Sequence, residues 1–343
     1  MNPREVVLEA FKLGVPERVP VAFFGAGVWT IFNSGNTFLS FIGEPEKYAD
    51  ALVKYSKILQ SDIVYCGSGY NNFHAAALGG KIKIRQVGAP DLEASLINAP
   101  EDLDKMNLDK IDEDKTVATI RKATRLVAER IGEEYLVTTT SWGPFTLGAQ
   151  LRGVEALMRD VFKNPEFARQ VIDLAADVIL KFYEPLIEER VIDTISIADP
   201  TASGDLISRK HFEALALPYL KKVTKYINSK NVNVLQHICG NTADKLDLMT
   251  DTGAMCFSLD HKVDIGAAKQ ALKGKICIGG NVDPVRVLND KKPEEVRNAA
   301  LECIRKAAEG GGYVLMPGCD HPPSVPLDNI KAFIGAAKKY EID

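Results

Sequence analysis

The sequence lacks any apolar run approaching the ~20 residues that cross a bilayer. Its first residues, MNPREVVLEAFKLG, carry acidic side chains at helical spacing where a secretion signal has a basic and then an apolar block. A cytoplasmic protein without membrane contact is therefore expected. An excess of charge of either sign is missing too: 42 Lys and Arg stand against 46 Asp and Glu, a formal net charge of -4. With cations spread along the chain there is no electrostatic footprint for nucleic acid or an anionic surface. Cysteine is sparse, with six residues scattered from Cys66 to Cys319. That excludes the dense disulfide framework of a small secreted domain and leaves each thiol as core filler or chemistry. Linkers, low-complexity segments and tandem repeats are also missing, so residues 1–343 are expected to form a single domain.

What is present is a folded, globular composition, 46% hydrophobic and 26% charged. Eight short apolar or β-branched runs each end in polar or glycine-rich sequence and give way to a helical pattern. They are VPVAFF from Val19, DIVYC from Asp62, LVTTT from Leu136, IDTISI from Ile192, VNVLQ from Val232, AMCFSL from Ala254, KICIGG from Lys275 and GYVLMP from Gly312. Amphipathic stretches lie between them, such as EPEKYADALVKYSKILQ, SRKHFEALALPYLKKVTKYIN and KPEEVRNAALECIRKAAEGG, several opening on a capping residue or a first-turn proline. Eight such units imply an α/β fold, a (β/α)8 TIM barrel, in which every strand has two neighbours and a helix over its outer face. The surplus reads as an N-terminal helical extension and a β-hairpin inserted after strand two, around VGAP.

Barrels of this kind do chemistry at the C-terminal mouth, in the loops that follow the strands. Those loops read SWGPFTLG, ADPTASGDL, HICGNT, DHKVD, NVDP and GCDHPP after strands three to eight. In VLQHICGN, His237 and Cys239 alternate in phase at a strand end, and Cys319 falls in the equivalent place after strand eight. Imidazole nitrogen and thiolate sulfur are the donors zinc prefers. Free cysteines are also common core residues. That reading suffices for Cys66, Cys256, Cys277 and Cys303, but it gives no reason for three such residues to gather at strand ends. His74, His211 and His321 have no partner pattern and are assigned no role.

The blocks WGPFTLGAQLRGVEALMRD, IADPTASGDLIS, ALPYLKKV, HICGNT, IGGNVDPV, EEV and PGCDHPPSVPLDNIKAF span nearly the whole chain. In them the sequence resembles the uroporphyrinogen decarboxylase superfamily, and within it the zinc-dependent methylcobamide:coenzyme M methyltransferases. The resemblance implies a barrel with Zn2+ held by His237, Cys239 and Cys319. The related cobalamin-independent methionine synthases add a carboxylate after strand six, a place filled here by Asp260. Decarboxylases of the superfamily carry an arginine-rich motif after strand one; the corresponding FFGAGVWTIFNSGN, from Phe23 to Asn36, has no arginine to clamp substrate carboxylates.

The implied reaction moves a methyl group from a methylated corrinoid to a zinc-activated thiol such as coenzyme M. No D-x-H-x-x-G cobalamin pattern occurs in the chain, so the corrinoid is expected on a partner protein. A sulfonate on the acceptor would need donors, for which Asn241, Asn281 and the amides of Gly143 and Gly240 are candidates. Asp199 and Asp283 either support zinc ligands or make turns before proline, and Trp142 and Phe145 either line the pocket or pack. Three other readings stay open. One is a corrinoid methyltransferase using a methoxy-aromatic or other one-carbon donor, or tetrahydrofolate as acceptor. The second is a decarboxylase, disfavoured by the missing arginines. The third is a non-catalytic binding barrel without zinc.

Overall fold

The computed structural model describes residues 1–86 and 88–340. Seven parallel strands form one curled sheet: β1 (Ile63–Cys66), β4 (Leu136–Trp142), β5 (Thr194–Ala198), β6 (Asn233–Ile238), β7 (Cys256–Leu259), β8 (Cys277–Val282) and β9 (Tyr313–Pro317), paired in that order. Between them β2 (Ile82–Lys83) and β3 (Asp91–Leu92) pair antiparallel, in the place where the sequence predicts an inserted hairpin. Val87, within the predicted insertion, lies outside the described residues.

The eighth expected strand, VPVAFF, is reduced to a single bridge between Val21 and Leu315, yet it still closes the barrel. On one side the Ala22 amide donates to the Leu315 carbonyl and the Leu315 amide to the Pro20 carbonyl; on the other the Asp62 amide donates to the Val21 carbonyl. The remaining amides of the segment have no backbone acceptor. Pro20 has no N–H to give, the Val21 amide donates to the Asp62 carboxylate at 2.8 Å, and the Phe23 amide to the Ser61 hydroxyl at 3.0 Å. Side chains thus replace backbone at the seam, and strand geometry is lost there while the closure is kept.

Inside and outside of the barrel follow the period-two alternation of the strands. Ile63, Tyr65, Leu136, Leu235, Cys256, Cys277, Val314 and Met316 face the axis. They pack with Val6, Val7, Ala10 and Phe11 of the helix Pro3–Phe11, which plugs the N-terminal end. That helix starts firmly because Asn2 and Glu5 form a reciprocal capping box. The alternate residues, among them Val64, Ile195, Val234, Phe257 and Ile278, join the larger core beneath the outer helices.

Outer helices occupy the predicted stretches, including Pro45–Leu59, Lys115–Ile131, Pro165–Glu188 and Pro293–Ala307. The stretch from Ser208 to Asn228 departs from a single helix: a turn at Arg209–His211 widens into a π-helical turn at Phe212–Ala216 before Leu217–Ser229. Pro218 explains the widening, since it cannot donate to the carbonyl four residues earlier. Among the described residues no helix is long and apolar enough to cross a membrane.

Candidate metal centre

One register row crosses the sheet at its C-terminal end: Trp142 beside Ala198, Ala198 beside His237, and His237 beside Ser258. His237 therefore points into the barrel, where it is 1% exposed. Its Nδ1 lies 3.1 Å from both the carbonyl and the hydroxyl oxygen of Ser258. With the Nδ1–H donating to that carbonyl, the tautomer is fixed and the Nε2 lone pair is left free. Nε2 lies 3.0 Å from Cys239 Sγ, and Cys239 Sγ lies 3.0 Å from Cys319 Sγ.

The chain reaches this arrangement through a sharp turn just after Cys239. Gly240 adopts φ +75°, and a Cβ there would stand 2.5 Å from the Asp205 carboxylate and 3.0 Å from the Ser203 hydroxyl. Only glycine meets both demands at once. The turn is pinned from β7, whose following residue Asp260 accepts from the Gly240 amide at 2.8 Å.

The donor atoms of His237, Cys239 and Cys319 all lie within 4.8 Å of one another, and among the described residues they are the only such His, Cys, Asp and Glu group. Neither cysteine is in a disulfide. A tetrahedral ion with Zn–S of about 2.3 Å and Zn–N of about 2.0–2.1 Å needs its donors about 3.5–3.8 Å apart, so the pairs that stand 3.0 Å apart here would spread by less than about 1 Å to admit it. The chemistry of the set fits as well: one imidazole nitrogen turned toward the site by the Ser258 contact, and two cysteine sulfurs side by side. Cys319 is pulled down to about 5 by its contact with Cys239. Cys239 is pushed up by the same contact and by burial.

The cluster sits on the wall of a cavity of ≈ 130 Å³ at the barrel mouth. Phe24, Tyr65, Asn71, Thr140 and Trp142 line the rest of it, with Ala198 and Pro200. Phe24 packs its ring 4.7 Å from that of His237 and 5.4 Å from that of Tyr65. Trp142 is oriented by its Nε1–H donating to Asn72 Oδ1 at 2.6 Å. Two buried polar atoms in this lining, the Tyr65 hydroxyl and Asn71 Oδ1, have no partner. An orphan of that kind costs about 1–3 kcal/mol.

Of the residues that the sequence offers for substrate contact, only Trp142 reaches this cavity. Asp199 is fully buried away from it; its carboxylate accepts from the Thr146 amide at 2.7 Å and the Phe145 amide at 3.4 Å, capping the helix Pro144–Arg152 from another loop. Burial pushes its carboxyl up to about 6, against the pull of those two amides. Gly143 is needed for the cap to fit, since a Cβ there would meet Asp199 Cγ at 2.4 Å, and its amide is spent on the Ala198 carbonyl. Phe145 is fully buried in the core. Asn241 is exposed and accepts from the Ala243 amide. The buried Asn281 donates to the carbonyls of Asp260 and Val263. Asp283 makes a turn, accepting from the amides of Val285 and Arg286.

Asp260 is not brought into the metal group. Besides the Gly240 amide it accepts from the Lys262 amide at 2.9 Å, and its Oδ1 lies 3.0 Å from His261 Nδ1, so a short side chain is held back by three neighbours. The remaining histidines stay outside the cluster: His74 lies against Phe182, His211 against Phe162 and His321 against Phe23. Burial pushes both His74 and His321 down to about 3, so they are neutral.

The placement of Asp199 yields a prediction. Asp199→Ala frees two helix-terminal amides and should lower unfolding stability by about 1–2 kcal/mol, while KM for a bound acceptor stays unchanged. Denaturant unfolding and steady-state kinetics check it; a raised KM without loss of stability would return Asp199 to the binding site.

The chain belongs to the uroporphyrinogen decarboxylase (URO-D) family, whose model matches residues 2–340. Within that family it is a methyltransferase. It is 34% identical to the methylcobamide:CoM methyltransferase MtbA of Methanosarcina mazei, over 99% of this chain and 98% of the relative. It is 32% identical to the protein of the same name from Methanosarcina acetivorans, over 74% and 72% respectively. A solved methyltransferase from Methanosarcina mazei shares the fold, with a TM-score of 0.86 at 23% identity and 98% of each chain covered.

Proposed function

We propose that this chain moves a methyl group from a methylated corrinoid, carried by a partner protein, to a small thiol such as coenzyme M bound at a zinc ion. The observation that carries this reading is the convergence of one free imidazole nitrogen and two sulfurs on the wall of a cavity of ≈ 130 Å³. Such a cavity suits a small thiol. It lies below the ~300–1,000 Å³ of pockets for drug-sized ligands, so a corrinoid would have to present its methyl group from outside, over the mouth. The same size argument, with the missing arginines, speaks against a porphyrinogen substrate.

Zinc, when bound, makes the thiolate the stable form of an incoming thiol near neutral pH. His237, Cys239 and Cys319 would hold it, with Ser258 fixing the imidazole so that nitrogen faces the site. Two cysteine sulfurs bring negative charge to that position and keep the acceptor sulfur electron-rich. The acceptor loses its proton to solvent and its sulfur forms the bond to the methyl carbon. The carbon–cobalt bond would break as that bond forms, with both electrons staying on the donor's cobalt. Phe24 and Trp142 keep water from the reacting atoms.

The test is an acceptor screen on the zinc-loaded protein with methylcobalamin as surrogate donor. Methylated coenzyme M at about one zinc per chain is the expected result. Activity confined to tetrahydrofolate or to a methoxy-aromatic would assign the same site to another half-reaction. Zinc well below stoichiometry under reducing conditions, unchanged by Cys239→Ala, would instead indicate a non-catalytic binding barrel.

A further inference from the structure

The cavity is bordered by further polar groups besides the metal cluster. Tyr65 leaves β1 on the inner face of the barrel and is 3% exposed; Asn71, in the loop that follows, is 8% exposed. Both border the cavity, and the Tyr65 hydroxyl and Asn71 Oδ1 lack any partner. Their neighbours are committed: Asn72 donates to the Pro90 carbonyl and accepts from Trp142 Nε1, and the Tyr65 ring is fixed edge-on against Phe24. Burial pushes the Tyr65 hydroxyl well above its ordinary range, so it remains a donor as well as an acceptor. Among the described residues lining the cavity there is no Lys or Arg, and Asp320 is the only carboxylate. Recognition beyond the sulfurs thus runs through hydrogen bonds and not through an ion pair. At roughly 30 Å³ per water, the volume leaves room for a handful of non-hydrogen atoms.

We propose that Tyr65 and Asn71 are specificity-determining residues that read the group the acceptor carries beyond its sulfur, selecting a small thiol with a hydrogen-bonding end group over a plain alkyl thiol. This rests on the reading of the site as a thiol-binding one. A site built to hydrogen-bond a substrate group rejects an analogue that lacks it, because its own buried polar atoms are then left unpaired.

The experiment compares ethanethiol, 2-mercaptoethanol and coenzyme M, which share a two-carbon spacing, on the zinc-loaded full chain. Binding is read by calorimetry without donor, and transfer with methylcobalamin. The wild type should favour the better of the two oxygen-bearing thiols over ethanethiol by at least ~10-fold in Kd and in kcat/KM, and the preferred one identifies the end group as hydroxyl or sulfonate. Tyr65→Phe should remove most of that preference through a raised Kd and KM, and Asn71→Ala should remove the part for 2-mercaptoethanol, whose hydroxyl can donate to Oδ1, with zinc content unchanged. Equal binding of all three thiols by the wild type, or equal losses for all three in the variants, overturns the proposal and leaves those atoms to ordered water. Selective binding without methyl transfer would retain it and reject the transfer reading alone. A wild type that binds none of the thiols rejects both.

Discussion

Replacing Cys319 with alanine should leave a folded protein that holds zinc far more weakly and no longer methylates thiols. The fold does not depend on this residue. It lies just past β9 in a half-buried loop, with its sulfur 3.0 Å from that of Cys239. Binding of a structural zinc is worth about 10–16 kcal/mol. Spread over three or four ligands, that is about 2.5–5 kcal/mol per ligand, or about a 10²–10⁴-fold loss of affinity for one sulfur removed. Cys239→Ala should do the same. His237→Ala is less clean, because it also empties the contact with Phe24 and strands the Ser258 carbonyl. Metal analysis, circular dichroism and thioether formation together decide it. Full zinc content in Cys319→Ala would remove the third ligand from the scheme, and an unfolded variant would give Cys319 a structural role.

The metal candidates were legible in the sequence because a strand end is a local feature. HICGNT and GCDHPP announce themselves by the apolar runs before them, and the barrel then brings Cys239 and Cys319 together across eighty positions. The substrate side was not legible in the same way. Whether an Asn, an Asp or an amide is free to meet a ligand depends on which hydrogen bonds it has already made, and these cross between loops. Asp199 is spent on a helix that precedes it in the chain, Asn281 on two carbonyls of the loop before it, and the Gly240 amide on Asp260. Tyr65 and Asn71 were overlooked because the loop GSGYNN after β1 carries no charge and no metal-type side chain. Its position at a strand end was the available signal. The first barrel segment was found by its apolar run, but its loss of strand geometry follows from Pro20 and from two polar side chains forty residues away.

That seam carries the second large effect, for Asp62→Ala. Asp62 is fully buried and binds Arg18 through two parallel contacts of 2.7 and 2.9 Å while accepting from the Val21 amide. Alanine there would leave a mostly buried guanidinium unpaired and a backbone donor orphaned in the same step. Breaking a buried pair from one side costs about 3–5 kcal/mol. Arg18 can turn partly toward water, its side chain being 17% exposed, so the lower end of that range is expected, about 3 kcal/mol. Asp62→Asn keeps an acceptor for Val21 and should lose less. Three backbone hydrogen bonds would still hold the segment, so the variant remains a barrel with a weaker seam. Because that segment ends in Phe24, whose ring packs on His237, the loosening should also reach the cavity wall and lower zinc affinity. Urea unfolding and zinc titration of both variants check this. A stability loss below about 1 kcal/mol in Asp62→Ala would mean that the backbone bonds alone close the barrel.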